Sequence, residues 1–267
     1  MRFFVTVIVV AACFLSAPLE MFAQRQFGAD QLAKALKRFP QADADADGVL
    51  TTEEFAAFRA KKVGGERRMV EFEPIQDDPN LPRVLLIGDS ISVGYTLAVR
   101  ELLEGKANVH RPPTNCGNTD KGVEQIDAWL GDGKWDVIHF NWGLHDLTSI
   151  DGKPEVTFEN YAKNLRTLVA RLKKTGAALV WCSTTPVPVD RRAPLSPEDV
   201  VRYNEAALAI MLENGIAIDD LYAFALPQLA EIQLPRNVHV TEEGSKVLAT
   251  EVARSIELAL GQRSSKP

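Results

Sequence analysis

From residue 83 to about 262 the chain alternates short apolar runs with amphipathic stretches of helical spacing. Val84-Leu85-Leu86-Ile87 reads as a buried strand, and Asp136-Val137-Ile138-His139-Phe140, Ala177-Ala178-Leu179-Val180-Trp181 and Ile216-Ala217-Ile218 read as three more. Between them Phe158, Tyr161, Leu165, Leu168 and Leu172 keep the spacing of one helix face. Ser196-Pro197-Glu198-Asp199 has the makings of a helix start: a capping hydroxyl, a proline where no N–H is needed, and acids in the first turn. Thr241-Glu242-Glu243 opens a last helix in the same way. Strand and helix in alternation imply an α/β fold, a three-layer α/β/α arrangement around a parallel sheet. In such sheets function gathers at the carboxyl ends of the strands.

The pattern before residue 83 is different. Met1-Arg2 is followed by an almost unbroken apolar run from Phe3 to Phe14, then Leu15-Ser16-Ala17-Pro18 and a small Ala23 ahead of Gln24. That is the layout of a secretory signal peptide over residues 1–23, too short in its apolar part for a membrane span. Val10-Ala11-Ala12-Cys13 also has the shape of a lipoprotein cleavage site, but apolar Phe14-Leu15 beyond it argues against that processing. A secreted or periplasmic chain with no stable membrane span is expected.

Residues 24–65 carry a second pattern. Asp43-Ala44-Asp45-Ala46-Asp47-Gly48-Val49-Leu50-Thr51-Thr52-Glu53-Glu54 fits the twelve-position EF-hand loop. Asp43, Asp45 and Asp47 stand at positions 1, 3 and 5, Gly48 at the sharp turn, Val49 at the carbonyl position, Thr51 at the ninth place and Glu54 at the bidentate twelfth. Ca²⁺ needs six to eight oxygens, and this spacing can bring them to one point. Leu32, Leu36 and Phe39 before the loop, with Phe55 and Phe58 after it, make apolar helical stripes. A single hand has no sister to bury those phenylalanines, so the larger domain or a second chain is expected to do so. Gly64-Gly65 ends the exit helix, and the Pro-punctuated stretch 66–82 reads as a linker. The organisation expected is therefore a leader (1–23), a helix–loop–helix (24–65), a linker (66–82), an α/β domain (83–262) and a tail (263–267).

Composition narrows the function classes. Hydrophobic residues form 46% and charged residues 25% of 267, an ordinary globular balance. Acids outnumber bases 36 to 30, and the charge of −6 is the wrong sign for a nucleic-acid binder. The three cysteines, Cys13, Cys116 and Cys182, are too few for a disulfide scaffold, and the latter two read as buried thiols.

The unusual residues fall at the strand ends. The first strand runs into Gly88-Asp89-Ser90-Ile91-Ser92 with neither a dinucleotide nor a P-loop glycine pattern. A serine at that junction is most often a helix cap, but it can also present its hydroxyl to a cleft while its own N–H faces a developing oxyanion. Downstream, His239 in Asn237-Val238-His239-Val240-Thr241 offers a general base just before the last helix.

In these residues the chain resembles the SGNH (GDSL-type) hydrolases, over about 83 to 260. Gly88-Asp89-Ser90-Ile91-Ser92-Val93-Gly94-Tyr95 is similar to the family's first block, Asn115-Cys116-Gly117-Asn118-Thr119 to its second, Asn141-Trp142-Gly143-Leu144-His145-Asp146 to its third, and His239 to the catalytic histidine of its fifth. The resemblance implies a flavodoxin-like sheet, Ser90 as nucleophile, His239 as base, and an oxyanion hole from the N–H groups of Ser90 and Gly117 plus a side chain. Two positions depart from the family pattern. His145 stands where the family has its oxyanion asparagine; an imidazole can donate one hydrogen bond, and Asn141 or Asn118 could serve instead. The Asp-x-x-His pattern would put the triad acid at 236, where this chain has Arg236, and Asn237 is no carboxylate either. A main-chain carbonyl near Arg236, or the Asn237 side-chain oxygen, could orient the histidine in its stead.

The expected chemistry is ester hydrolysis through an acyl-enzyme on Ser90, with calcium structural and no cofactor in the reaction. The family's exported members often act on acetylated carbohydrates, so a small-molecule or carbohydrate ester is the expected substrate. Trp142 could stack a sugar face or simply pack. A carbohydrate-binding protein that does not cleave, a lipid or thioester hydrolase, and a calcium-responsive adaptor are the rival readings. His139 within a strand and His110 at a strand end read as structural.

Overall fold

A computed structural model describes residues 29–38, 40–45, 47–55, 58, 69–150, 153–188 and 195–264. The expected leader, Phe39, Gly64-Gly65 and the last three residues lie outside the described set. The chain divides into two compact units, Met1–Arg68 and Met69–Pro267. No helix among the described residues is long and apolar enough to cross a membrane.

In the first unit helix α1 (Ala29–Arg38) leads through a 3₁₀ turn at Pro40–Ala42 into the acidic loop. Leu50 is buried within it, whereas Val49 is 63% exposed. The Leu50 side chain thus supplies the loop's apolar anchor.

The second unit is built on five parallel strands: β1 (Arg83–Ile87), β2 (Asn108–His110), β3 (Val137–Phe140), β6 (Ala178–Cys182) and β7 (Ala217–Asp219), in the order β2-β1-β3-β6-β7. A small antiparallel pair, β4 (Ser149–Ile150) and β5 (Lys153–Pro154), lies outside the sheet. The four strands expected from apolar runs all form, each within one residue of its expected ends. Their side chains are apolar on both faces because helices cover both. Helices α2 (Ser90–Leu102) and α9 (Glu242–Ser264) pack on each other and on the sheet, while α3 (Thr119–Leu130), α5 (Phe158–Lys173) and α6 (Pro197–Glu213) form a row on the other layer. Shorter helices α4 (Leu144–Leu147), α7 (Leu221–Ala225) and α8 (Leu229–Ile232) fill the connections. Ser196 caps α6 by accepting from the Asp199 N–H at 3.0 Å, with Pro197 in the first turn.

Residues 69–82, from the stretch read as linker, make specific contacts within this unit. Asn108 exchanges hydrogen bonds with the main chain of Asp78, and Asp77 meets both Arg83 and His110. One polar rung crosses the core: His139 Nε2 to Asp219 Oδ2 at 2.8 Å, with the Ser255 hydroxyl donating to the same oxygen at 3.1 Å. Both members of the pair are sealed from water, which gives His139 the structural role its strand position suggested. Burial also accounts for the thiols: it pushes Cys116 up to about 11 and Cys182 well above the ordinary range, so neither is poised as a nucleophile.

The chain places β2 on one side of β1 and then crosses back over β1 to place β3 on the other side. The crevice at this reversal opens at the carboxyl ends of β1 and β3. Gly88-Asp89-Ser90 follows the first of these and Asn141-Trp142-Gly143 the second.

Candidate active site

Strand β1 ends by turning directly into α2, and Ser90 is the first residue of that helix. Asp89 caps it, its carboxylate accepting from the Ile91 N–H at 2.9 Å. Gly88 permits the turn: a Cβ there would sit 2.8 Å from the Ser92 hydroxyl. Burial raises the Asp89 carboxyl above its usual range, against the pull of its Ile91 hydrogen bond and the charges of His145, His239 and Arg111. His145 is therefore close enough to be felt at the turn into α2.

On the other side of the crevice, the segment between α8 and α9 is a tight loop. Leu234 N–H donates to the His239 carbonyl at 2.9 Å, and Thr241 N–H to the Ile232 carbonyl at 2.7 Å. Arg236 holds φ at 53°, a left-handed conformation that a non-glycine residue rarely adopts. This turn brings three side chains into line. His239 Nε2 lies 2.8 Å from Ser90 Oγ, and His239 Nδ1 lies 2.9 Å from Asn237 Oδ1. The Asn237 oxygen also accepts from the His239 main-chain N–H at 3.1 Å. An amide oxygen can only accept, so Nδ1 carries the proton and Nε2 presents its lone pair to the serine hydroxyl. That is the tautomer a general base needs. Of the two acceptors considered for this place, the Asn237 side chain occupies it.

The second-block loop lies beside the Gly88-Asp89-Ser90 turn, because Cys116 N–H donates to the Gly88 carbonyl at 3.2 Å. Gly117 takes φ of 61°, and its N–H donates to Asn115 Oδ1 at 2.9 Å. Lys121 pins the same loop through the Asn115 carbonyl at 2.7 Å. Of the alternative side-chain donors, Asn141 is engaged with the Cys182 carbonyl at 2.8 Å and Thr184 Oγ1 at 3.3 Å. Asn118 caps α3 and donates to Glu155 at 2.9 Å. His145, half-buried on α4, makes no side-chain hydrogen bond with a described residue. Asn141 and Asn118 are thus committed elsewhere, and His145 is free.

Trp142 does not stack on a ligand. It is 1% exposed and packs on Gly122, where a Cβ would meet the indole at 2.9 Å. The third block turns this tryptophan into the core and leaves His145 at the crevice.

Two residues beneath the site had no role read from sequence. Arg111 is buried and donates to Thr96 at 2.7 Å and Ser92 at 3.3 Å, with longer contacts to the carbonyls of Gly88 and Thr114. It bridges the two loops that flank Ser90. Asp146 is fully buried, and its Oδ1 accepts from both the N–H and the hydroxyl of Thr119, the first residue of α3. Its other oxygen has no partner among the described residues. Burial pushes its carboxyl up to about 7, against the lowering effect of Thr119.

In the first unit, oxygens of Asp43, Asp45 and Asp47 lie within 4.8 Å of one another. Gly48 takes φ of 85°, and its N–H meets Asp43 Oδ2 at 2.9 Å. Glu54 folds back over the loop, one oxygen accepting from Ala44 N–H at 2.9 Å and the other from the Thr51 hydroxyl at 2.7 Å. Those bonds, the Thr51 hydroxyl foremost, lower its carboxyl to about 2. An ionised glutamate closing a ring of three aspartates is a donor set that fits a hard dication.

No family model and no curated protein matches the chain. Solved structures do. An acetyl xylan esterase, AlAXEase, superposes with a TM-score of 0.56 at 15% identity over 65% of this chain and 99% of that one. A lipase/acylhydrolase from Enterococcus faecalis gives 0.57 at 18% identity, over 66% and 95%. Axe2, an acetylxylan esterase from Geobacillus stearothermophilus, gives 0.57 at 19% identity, over 66% and 94%. The second unit thus has the three-layer fold of the GDSL-type acylhydrolases, a likeness of fold at these identities.

Proposed function

We propose that the second unit is a serine esterase that hydrolyses carboxylic esters, with O-acetyl groups on carbohydrates as its favoured substrates. The observation that supports this most is the continuous chain from Ser90 Oγ to His239 Nε2, 2.8 Å, and from His239 Nδ1 to Asn237 Oδ1, 2.9 Å. His239 removes the Ser90 proton as the hydroxyl oxygen attacks the ester carbonyl. The resulting imidazolium keeps its Nδ1–H on Asn237. Ser90 N–H, Gly117 N–H and His145 form the oxyanion hole that the family resemblance implies. The imidazolium then protonates the departing alkoxide, and water, deprotonated by His239, releases the acyl group and restores Ser90.

The carbohydrate preference draws on the resemblance and on neighbours described as acetyl xylan esterases. The protein acts outside the cytoplasm, as the leader pattern suggests, so mass spectrometry of the native chain should find it starting near Gln24. Asp43, Asp45, Asp47, Glu54, the Val49 carbonyl and Thr51 would hold Ca²⁺ in a structural role, at the ~10⁻⁴–10⁻³ M affinity of extracellular modules. The reaction scheme itself draws only on side chains and N–H groups of the second unit.

Steady-state hydrolysis of an aryl acetate, followed by a screen of acetylated glycans against longer-chain esters and thioesters, tests the reading. Ser90→Ala and His239→Ala should each abolish turnover. Absence of serine-dependent turnover on every ester would instead leave a carbohydrate-binding protein on a hydrolase fold.

A further inference from the structure

We propose that Asp89 is a positioning residue that acts through His239: its buried carboxylate supplies the negative charge that Asn237, which only orients the ring, cannot give; this rests on the serine-esterase reading above. Asp89 immediately precedes Ser90 and is 4% exposed. Its carboxylate is fixed at the start of α2 by the Ile91 N–H at 2.9 Å. One Cα–Cα step of about 3.8 Å, the serine side chain and the 2.8 Å bond from Ser90 Oγ to His239 Nε2 separate its backbone from the base. At that range, in a site largely shielded from water, a carboxylate stabilises an imidazolium.

Arg111 gives that charge a reason to persist. The guanidinium is buried, and its hydrogen bonds go to the hydroxyls of Thr96 and Ser92 and the carbonyls of Gly88 and Thr114, none among the described residues to a carboxylate. A buried cation needs an anion close by. Asp89 lies on the turn that Gly88 and Ser92 bracket, and its charge acts on Arg111. Arg111 thereby works against the desolvation that raises the Asp89 carboxyl. His145 on α4 and His239 face Asp89 and favour its ionised form as well. Tyr95 on α2, Cys116 in the second-block loop and Cys182 on β6 also face it. Burial pushes Cys116 up to about 11 and the other two well above their ordinary values, so all three are uncharged at neutral pH. On the base's own segment Arg236, Glu242 and Glu243 are exposed and screened by solvent. Asp89 is thus a buried negative charge set against Arg111 and the two histidines.

Asp89→Asn removes the charge and keeps an oxygen for the Ile91 N–H, since asparagine caps a helix as well as aspartate does. On an aryl acetate kcat should fall about tenfold with KM little changed. The acid limb of the kcat/KM profile should move down by about one pH unit, because the imidazolium has lost a stabilising neighbour. Charge rescue supplies the second readout. Asn237→Asp in the Asp89→Asn background should restore kcat, with a larger gain than the same substitution gives in wild type. Asn237 bonds His239 and not His145, so rescue there assigns the shifted limb to the base. Unchanged kcat with an unmoved acid limb in Asp89→Asn would overturn the proposal. So would a loss of kcat with the limb unmoved and a merely additive effect of Asn237→Asp, which is what a purely structural cap would give. Asp89→Ser, a second uncharged cap, gives the same reading if the asparagine variant does not fold. Serine-dependent turnover by wild type in the same assay keeps failure of this proposal distinct from failure of the esterase reading.

Discussion

Replacing Asp146 by asparagine isolates what it costs to seal a carboxylate in this core. The side chain is fully buried, its carboxyl is raised from 3.8 to about 7, and desolvation is the leading cause. Asp120 adds a smaller repulsion. The nearby hydroxyls of Tyr161 and Tyr203 give no relief, because they donate to the carbonyls of Trp142 and Val156. In the unfolded chain the group ionises near pH 4, and in the fold near pH 7. Between these values the native state holds a proton that the unfolded state has lost, so the contribution is present in acid and is lost as pH rises through 7. At about 1.4 kcal/mol per pH unit the whole swing is about 4 kcal/mol. Asparagine keeps an oxygen for the two Thr119 bonds but buries an NH₂ without an acceptor, a loss of about 1–3 kcal/mol. The variant should therefore be less stable than wild type below about pH 4, near parity around pH 5, and more stable by about 1–3 kcal/mol at pH 8. Urea unfolding followed by tryptophan fluorescence at four pH values reads this difference directly, since other titrations cancel between the two proteins. A stability difference that stays constant from pH 5 to 8 would refute the reasoning.

Other substitutions test the remaining parts of the site. Asn237→Ala leaves Nδ1 without its acceptor and should lower kcat by about 10²-fold, short of the ~10⁴ lost when a serine protease loses its triad acid. Asn237→Asp should raise kcat and move the acid limb of the pH–rate profile upward, because a carboxylate stabilises the imidazolium that an amide only orients. His145→Ala should lower turnover by about 10²-fold if the imidazole donates to the oxyanion, and leave KM nearly unchanged. Calorimetric titration with Ca²⁺ should show weak binding that Glu54→Gln reduces, while a chelator lowers thermal stability without abolishing hydrolysis.

The parts of this protein that could be read in the sequence are those encoded locally. A strand shows as a run of apolar residues, the α6 start as Ser196-Pro197, and the turn into α2 as Gly88-Asp89-Ser90, because each needs only neighbouring residues to make sense. Ser90 and His239 are 149 positions apart, yet each stands out in its own local block, and the fold brings them to 2.8 Å. What depended on packing between distant segments was not readable. Trp142 could have faced solvent or core, and only its contact with Gly122 decides. Asp146 and Arg111 gain their roles from Thr119 and Ser92, on elements brought near by the sheet order. The choice between a carbonyl and Asn237 as the histidine's acceptor likewise turned on a left-handed residue at 236 that no pattern announced.

The most direct test of the central claim is covalent labelling of the folded chain with a fluorophosphonate, read by intact mass and peptide mapping. A serine made nucleophilic by His239 and Asn237 should take up a single adduct located on Ser90, with none on Ser90→Ala and a much slower reaction on His239→Ala. A wild-type chain that remains unlabelled while its near-ultraviolet dichroism shows it folded would contradict the assignment of Ser90, His239 and Asn237 as a working catalytic centre.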